Sequence, residues 1–146
     1  MSARLVVSVA LLLGLQACSL LAPKRLIVQV RMDSTAFHRP PDPHAMATIG
    51  FEVANLGGRS AFFAGCIDPI SLDWERDSAG TWHSYISNRI CLDSPAYAGL
   101  ELRPGEIYHS TVEWDYPSRY RLRVYFGVSP DNTNTSNTIG APFELR

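Results

Sequence analysis

The chain has 146 residues, of which 46% are hydrophobic and 18% are charged. This balance excludes a disordered chain, because disordered sequences are poor in apolar residues and rich in charge. The 13 Lys and Arg residues are offset by 14 Asp and Glu residues, which gives a formal net charge of −1. A nucleic-acid-binding domain usually carries a basic excess, so the charge balance argues against that class of protein. The length suits one domain of ordinary size.

The first residues have the pattern of an export signal. Arg4 supplies a positive charge, and the stretch from Leu5 to Leu15 is apolar apart from Ser8 and Gly14. A membrane-spanning helix needs about 18–20 apolar residues, so this stretch is too short to span a bilayer. We therefore predict a cleaved signal peptide over residues 1–17. No later segment of the sequence is long and apolar enough to span a membrane.

The end of this leader, Leu15-Gln16-Ala17-Cys18, resembles the lipobox of bacterial lipoproteins. The resemblance implies that the Cys18 thiol receives a diacylglycerol group, that the leader is cut before Cys18 and that the new amine is acylated. Gln16 departs from the small or branched residue usual at that position. Ser19, where an Asp would favour inner-membrane retention, implies the outer membrane if the cell has one. The alternative is an ordinary signal peptide, but Leu15 fits the small-residue position of that cleavage site poorly.

After a short tether, residues 18–24, we predict one all-β domain over residues 25–146. Short runs of alternating or β-branched apolar residues are separated by Gly, Pro, Asn and Asp, which is typical of strands and turns. The predicted strands are Arg25 to Met32, Ala47 to Asn55, Ser60 to Cys66, Ile70 to Arg76, Thr81 to Ile86, Leu100 to Leu102, Ile107 to Trp114, Tyr120 to Val128 and Thr138 to Leu145.

Turn and loop signals lie between these runs. Asp77-Ser78-Ala79-Gly80 is predicted as a hairpin connection, Pro40 to Pro43 as a loop, and Ser129 to Asn137 as a polar loop. No segment has sustained helical periodicity, so we expect an antiparallel β-sandwich of about 7–8 strands. The aromatic residues expected in its core or at its ends are Phe51, Trp74, Trp82, Tyr85, Trp114, Tyr120 and Phe126.

Two cysteines remain once Cys18 is assigned to the anchor. An exported chain folds in an oxidising compartment, where a lone pair usually closes, so we predict a Cys66–Cys91 disulfide. The alternative is a redox or metal site, but reactive pairs are more often spaced Cys-x-x-Cys.

Three groups of polar residues are candidates for chemistry. The first group is acidic and could supply the carboxylates of a glycoside hydrolase or the ligands of a calcium site: Asp68, Asp73, Glu75, Asp77 and Asp93. Three of these residues, Asp73, Glu75 and Asp77, share strand parity, so a solvated sheet face is the simpler interpretation. The second group is an exposed row of arginines on one strand, Arg119, Arg121 and Arg123. This row could bind an acidic partner or an anionic glycan, or it could be a solvated strand face with no ligand. His38, Asp42 and His44 could contact a metal, but a solvated loop is the simpler interpretation. His83 and His109 are expected to be structural or exposed.

The segment Phe51 to Trp82, followed by Leu102-Arg103-Pro104-Gly105-Glu106, resembles small bacterial immunoglobulin-like domains. Their pattern is a strand ending in Asn and a Gly turn, a second strand, a hairpin with Gly and Trp, and then Leu-x-Pro-Gly-Glu. The intracellular proteinase inhibitors of Bacilli are one such group. The resemblance rests on fold-maintaining residues, so it implies an immunoglobulin-like sandwich rather than an activity.

The sequence contains no nucleophile elbow, zinc-protease motif or phosphate-binding loop. We therefore expect a lipoprotein of the cell envelope that is not an enzyme, uses no cofactor or metal, and binds a protein or another envelope component. A protease-inhibitor-like domain and a carboxylate-based hydrolase are the alternatives. The hydrolase requires the hairpin acids to line a cleft and to have a raised carboxyl pKa.

Overall fold

The computed structural model describes residues 24–42, 44–65, 69–87 and 99–146. Cys18, the predicted Cys66–Cys91 disulfide and the acidic residues Asp68 and Asp93 lie outside these ranges, so their predictions are not addressed by the described structure. No helix long and apolar enough to cross a membrane occurs in the described ranges.

The described residues form eleven strands, three of them only two residues long. They are β1 Val28–Met32, β2 Ala36–Phe37, β3 Ala47–Asn55, β4 Ala61–Phe62, β5 Leu72–Ser78, β6 Thr81–Ser87, β7 Glu101–Leu102, β8 Ile107–Trp114, β9 Ser118–Phe126, β10 Ser136–Ile139 and β11 Phe143–Leu145. The pairing is antiparallel throughout except for β2, which runs parallel to β11.

The domain is built from two main sheets. One has the strand order β1-β3-β8, and the other has the order β2-β11-β9-β5-β6 with β10 also paired to β9. A two-stranded piece, β4-β7, lies beside them. The chain crosses between the two main sheets several times, as in immunoglobulin-like domains, while β5-β6 and β9-β10 pair within one sheet. The predicted all-β, immunoglobulin-like sandwich is confirmed.

The core lies between the inward faces of the two sheets. Ile49, Phe51 and Val53 of β3 alternate with outward residues, and Leu122 and Val124 of β9 do the same from the opposite sheet; all five are at most 2% exposed. This alternation is what buries one face of a strand. It explains why the period-2 pattern predicted β3 and β9 well.

An aromatic cluster closes one end of the core. The Trp74 ring of β5 stacks on the Trp114 ring of β8 with 5.1 Å between centroids and meets Tyr120 edge-on at 5.6 Å. The Tyr120 hydroxyl donates to the Tyr116 carbonyl at 2.9 Å. A tyrosine near the start of this strand that bonds back a few residues upstream is typical of immunoglobulin-like domains. Burial raises the pKa of Tyr120.

Three predicted boundaries were wrong. The run Thr138 to Leu145 is two strands, because the chain bulges over residues 140–142 while both halves remain paired to β9. Pro142 has no N–H to donate to the ladder, which accounts for the break. Ser136 and Asn137, predicted as loop, begin β10. The run from Ser60 shrinks to the two residues of β4 within the described part of it.

The two motifs of the immunoglobulin-like resemblance meet at Asn55, the last residue of β3. Its buried side-chain amide donates to the carbonyls of Arg59 and Leu102, both at 2.8 Å, and its side-chain oxygen accepts from the Gly57 N–H at 3.0 Å. Its backbone bonds to Gly105 and Glu106. Asn55 therefore joins the Gly turn after β3 to the turn before β8.

Candidate functional site

The acidic and basic residues that the sequence placed in two separate groups lie on one sheet face. In the β5–β9 register, Asp73 is opposite Arg123 and Glu75 is opposite Arg121. Arg119 donates to Asp77 at 3.1 Å, two residues further along both strands. These six residues, which we call the charge ladder, form a row of carboxylates on β5 beside a row of guanidinium groups on β9, on the outer face of the larger sheet.

Glu75 is the centre of the charge ladder. One of its oxygens accepts from Arg121 Nε, and the other accepts from Arg123 Nε at 2.8 Å. Only 10% of the Glu75 side chain is exposed. Burial alone would raise the pKa of Glu75, but the hydrogen bonds and charges of Arg123 and Arg121 outweigh burial and hold the pKa below its usual value. Glu75 is therefore an ionised structural carboxylate and is not tuned to donate a proton.

The flanking carboxylates are engaged as well. Asp77 accepts from Arg119 with one oxygen and from the Gly80 N–H at 2.8 Å with the other. Asp73 accepts from the Tyr125 hydroxyl at 2.7 Å. Calcium needs six or more oxygen ligands, and Glu75 and Asp77 already use every carboxylate oxygen within the sheet. In the described residues this arrangement suits an ion-pair network better than a hydrolase or a calcium site.

The arginines are partly exposed above these carboxylates. Their side chains are 53% exposed at Arg119, 22% at Arg121 and 24% at Arg123. The row is thus more buried than a freely solvated strand face, and each guanidinium is fixed by a partner. Because three positive charges meet three negative ones, the charge ladder is close to neutral.

Trp82 lies on this outer face, contrary to the expectation that it would belong to the core or its ends. It is opposite Asp77 in the β5–β6 register, and the guanidinium groups of Arg121 and Arg119 lie 4.5 Å and 5.6 Å from its ring. These distances are those of cation–π contacts. The aromatic ring and the guanidinium groups therefore form one continuous surface.

Strand alternation turns Trp82 and Tyr85 to opposite faces of β6, and a β-bulge follows at Tyr85. The β5–β6 register shifts between Trp74 and Glu75, which leaves Tyr85 as the extra residue of β6. The Tyr85 ring packs on Trp114 in the core at 6.0 Å, whereas Trp82 and Ser84 keep the orientation of Asp77 and Glu75. The predicted hairpin held the signal for the outward placement of Trp82, because its two-residue turn pairs Trp82 with Asp77. Periodicity does not reveal the bulge at Tyr85.

The histidine candidates do not converge. Asp42 uses a side-chain oxygen to accept from the His44 backbone N–H at 2.8 Å, so this carboxylate stabilises its own turn. His109 is exposed on the other main sheet, 3.9 Å from Glu52, and His83 lies exposed on β6. No group of three or more His, Cys, Asp or Glu side chains suited to a metal occurs in the part of the chain that the structure describes.

A cavity of about 290 Å³ lies beside the small β4-β7 sheet. Its described lining consists of Phe62, Phe63, Gly99, Glu101, Pro130 and Thr133. Glu101 is the one titratable group among these described lining residues, so none of the others could pair with it as an acid or a base.

No protein-family model matches the chain, and no curated protein sequence matches it. The chain is similar in structure to the CARDB domain of the PF1109 protein from Pyrococcus furiosus, solved in complex with di-metal ions, with 14% identity and a TM-score of 0.40 over 83% of this chain and 89% of that chain. It is also similar to part of a β-glucosidase involved in saponin metabolism from intestinal bacteria, with 11% identity and a TM-score of 0.36 over 82% of this chain and 16% of that chain.

Proposed function

We propose that this protein is a lipid-anchored, non-catalytic binding domain of the bacterial cell envelope, and that its partner protein docks on the charge ladder and Trp82. The observation that carries the proposal is the pairing of Glu75 with two guanidinium groups. Because of this pairing, the acidic residues hold the arginines of a binding surface in place and do not act as catalytic acids or bases.

The composition of this surface supports a protein partner. Arg, Trp and Tyr are the residue types enriched at interface hot spots, and Arg119, Trp82 and Tyr125 lie on one face. Ion pairs hold the guanidinium groups before any partner arrives, so binding orders few additional side chains. The near-neutral charge favours a partner of mixed polarity over a nucleic acid or an anionic glycan, since either of those would need an excess of positive charge.

The lipobox supports the anchor. A thioether-linked diacylglycerol and an amide-linked chain on Cys18 supply the multiple acyl chains that stable membrane attachment requires. Ser19 supports an outer-membrane location. Radiolabelled palmitate fed to cells should label the wild-type protein and not the Cys18→Ser variant. Labelling of the Cys18→Ser variant would disprove lipidation at this residue.

The docking face can be tested in living cells with a photocrosslinking amino acid. Ser84 is exposed on β6 on the same face as Glu75, so a crosslinker there should give a discrete protein adduct. Thr111 is exposed on the outer face of β8, opposite Gly50, and provides the matched control. An adduct from Thr111 but none from Ser84 would place the interface on the other sheet and overturn this assignment.

A further inference from the structure

Three exposed aliphatic residues lie at the end of the sandwich where the chain enters the domain. Ile27 is 48% exposed, Leu56 is 52% exposed and Ile107 is 48% exposed. The Leu56 N–H donates to the Ile27 carbonyl at 2.8 Å, and Ile107 is opposite Ala54 in the β3–β8 register. We call these three residues the tether-end patch.

Strand alternation places the tether-end patch on the outer face of the β1-β3-β8 sheet. Val28, Val53 and Asn55 point into the core, so their neighbours Ile27, Ala54 and Leu56 point outward. Further along the same face the residues become polar: Arg31 donates to Glu52 at 3.1 Å, and His109 lies beside them. The face is therefore apolar only at the end nearest the tether.

Basic residues surround the tether-end patch. Lys24 and Arg25 precede Ile27, Arg59 follows Leu56, and Arg103 lies in the turn before Ile107; all four are exposed. Glu106 is the acidic residue of that turn, and its carboxylate accepts from the Arg103 backbone N–H at 2.6 Å. This end of the sandwich combines exposed aliphatic side chains with an excess of positive charge. That combination suits the interface of an anionic lipid bilayer.

We propose that the tether-end patch and its basic rim dock on the surface of the membrane that holds the lipid anchor. The inference rests on the proposed anchoring at Cys18. Lys24 is six positions after Cys18, and an extended chain of that length reaches about 20 Å. The tether therefore keeps this end of the domain within reach of the headgroups. Docking in this way leaves the charge ladder, on the other sheet, open to its partner.

The test uses the mature chain from residue 18 with Cys18→Ser, so that no lipid contributes, and measures co-sedimentation with vesicles of phosphatidylethanolamine and phosphatidylglycerol in a 3:1 ratio. The triple variant Ile27→Ser/Leu56→Ser/Ile107→Ser should lower the partition coefficient by about tenfold or more, since each aliphatic side chain adds favourable transfer from water. Each of Lys24→Glu, Arg25→Glu and Arg59→Glu should lower the coefficient by about fivefold or more. Vesicles of phosphatidylcholine alone should bind less.

The matched control is Met46→Ser/Tyr116→Ser/Ile139→Ser, which removes exposed apolar side chains of 49%, 57% and 39% exposure outside the tether-end patch. The control should bind vesicles as the parent does. Equal binding by both triple variants, or no binding by the parent at millimolar lipid, would overturn the docking surface. Failure of the anchor would appear separately, as absence of palmitate label on the wild-type protein.

Discussion

At the scale of single residues, Glu75 should make stability depend on pH. Its pKa is lowered in the folded state, so its contribution is complete above the ordinary pKa of an unfolded Glu and is lost as pH falls through the folded value. Glu75→Gln should lower the free energy of unfolding by about 1–3 kcal/mol at neutral pH, since it leaves two guanidinium groups without their counter-charge. In urea unfolding, the difference in free energy of unfolding between Glu75→Gln and wild type should be smaller at pH 3 than at pH 7. A difference of the same size at both pH values would contradict this role.

Asn55 carries a second prediction at this scale. Its buried side chain makes three hydrogen bonds that join the turns on either side of it. Asn55→Ala should lower the free energy of unfolding by about 2–4 kcal/mol, because the bonded backbone groups lose their partner in a buried site. Asn137→Ala, at an exposed position that bonds Arg123, should change it by only about 0.5 kcal/mol. Equal effects of the two substitutions on the free energy of unfolding in urea would show that the Asn55 hydrogen bonds do not hold these two turns together.

At the scale of elements, the β5–β6 hairpin stores strain in its turn. Ala79 and Gly80 both have positive φ, 53° and 83°, which is the geometry of a two-residue type I′ turn. An Ala pays a steric penalty there that Asn avoids in part. Ala79→Asn should therefore raise the free energy of unfolding by about 0.5–1 kcal/mol. Gly80→Ala should lower the free energy of unfolding. Thermal unfolding should therefore show a higher midpoint for Ala79→Asn and a lower midpoint for Gly80→Ala than for wild type.

This hairpin also shows where sequence reasoning works and where it stops. The turn residues located the hairpin, and alternation placed Asp73, Glu75 and Asp77 on one face as predicted. The arginines of β9 were also correctly grouped by parity. Nothing in either segment alone reveals that β5 and β9 are neighbours, because strand order is decided by packing of the whole sandwich. The charge ladder is therefore a property of the register, and the bulge at Tyr85 is a further product of tertiary packing.

At the scale of the whole molecule, the alternating apolar residues of β3, β8 and β9 were enough to predict a sandwich. They were not enough to predict β2, because this edge strand pairs with β11 over only two residues and has no pattern long enough to detect. The immunoglobulin-like motifs were informative for a physical reason, since Asn55 bonds the two of them together.

The predicted Cys66–Cys91 bridge belongs to the same scale. In an oxidising compartment it should leave no free thiol other than an unmodified Cys18. Thiol titration of the folded Cys18→Ser protein should find none, and Cys91→Ser should lower the free energy of unfolding by about 3 kcal/mol in the loop-entropy account. Two titratable thiols in the exported protein would show that the bridge does not form.

The central claim is that a partner protein docks on the charge ladder and Trp82, and the yield of the Ser84 photo-adduct in cells tests it most directly. Trp82→Ala removes the ring beneath Arg119 and Arg121 without touching the carboxylates, and it should reduce that yield by about tenfold, as expected for an interface hot spot. Thr48→Ala, at an exposed position of β3 on the other sheet, should leave it unchanged. An undiminished adduct in a folded Trp82→Ala protein would contradict the account.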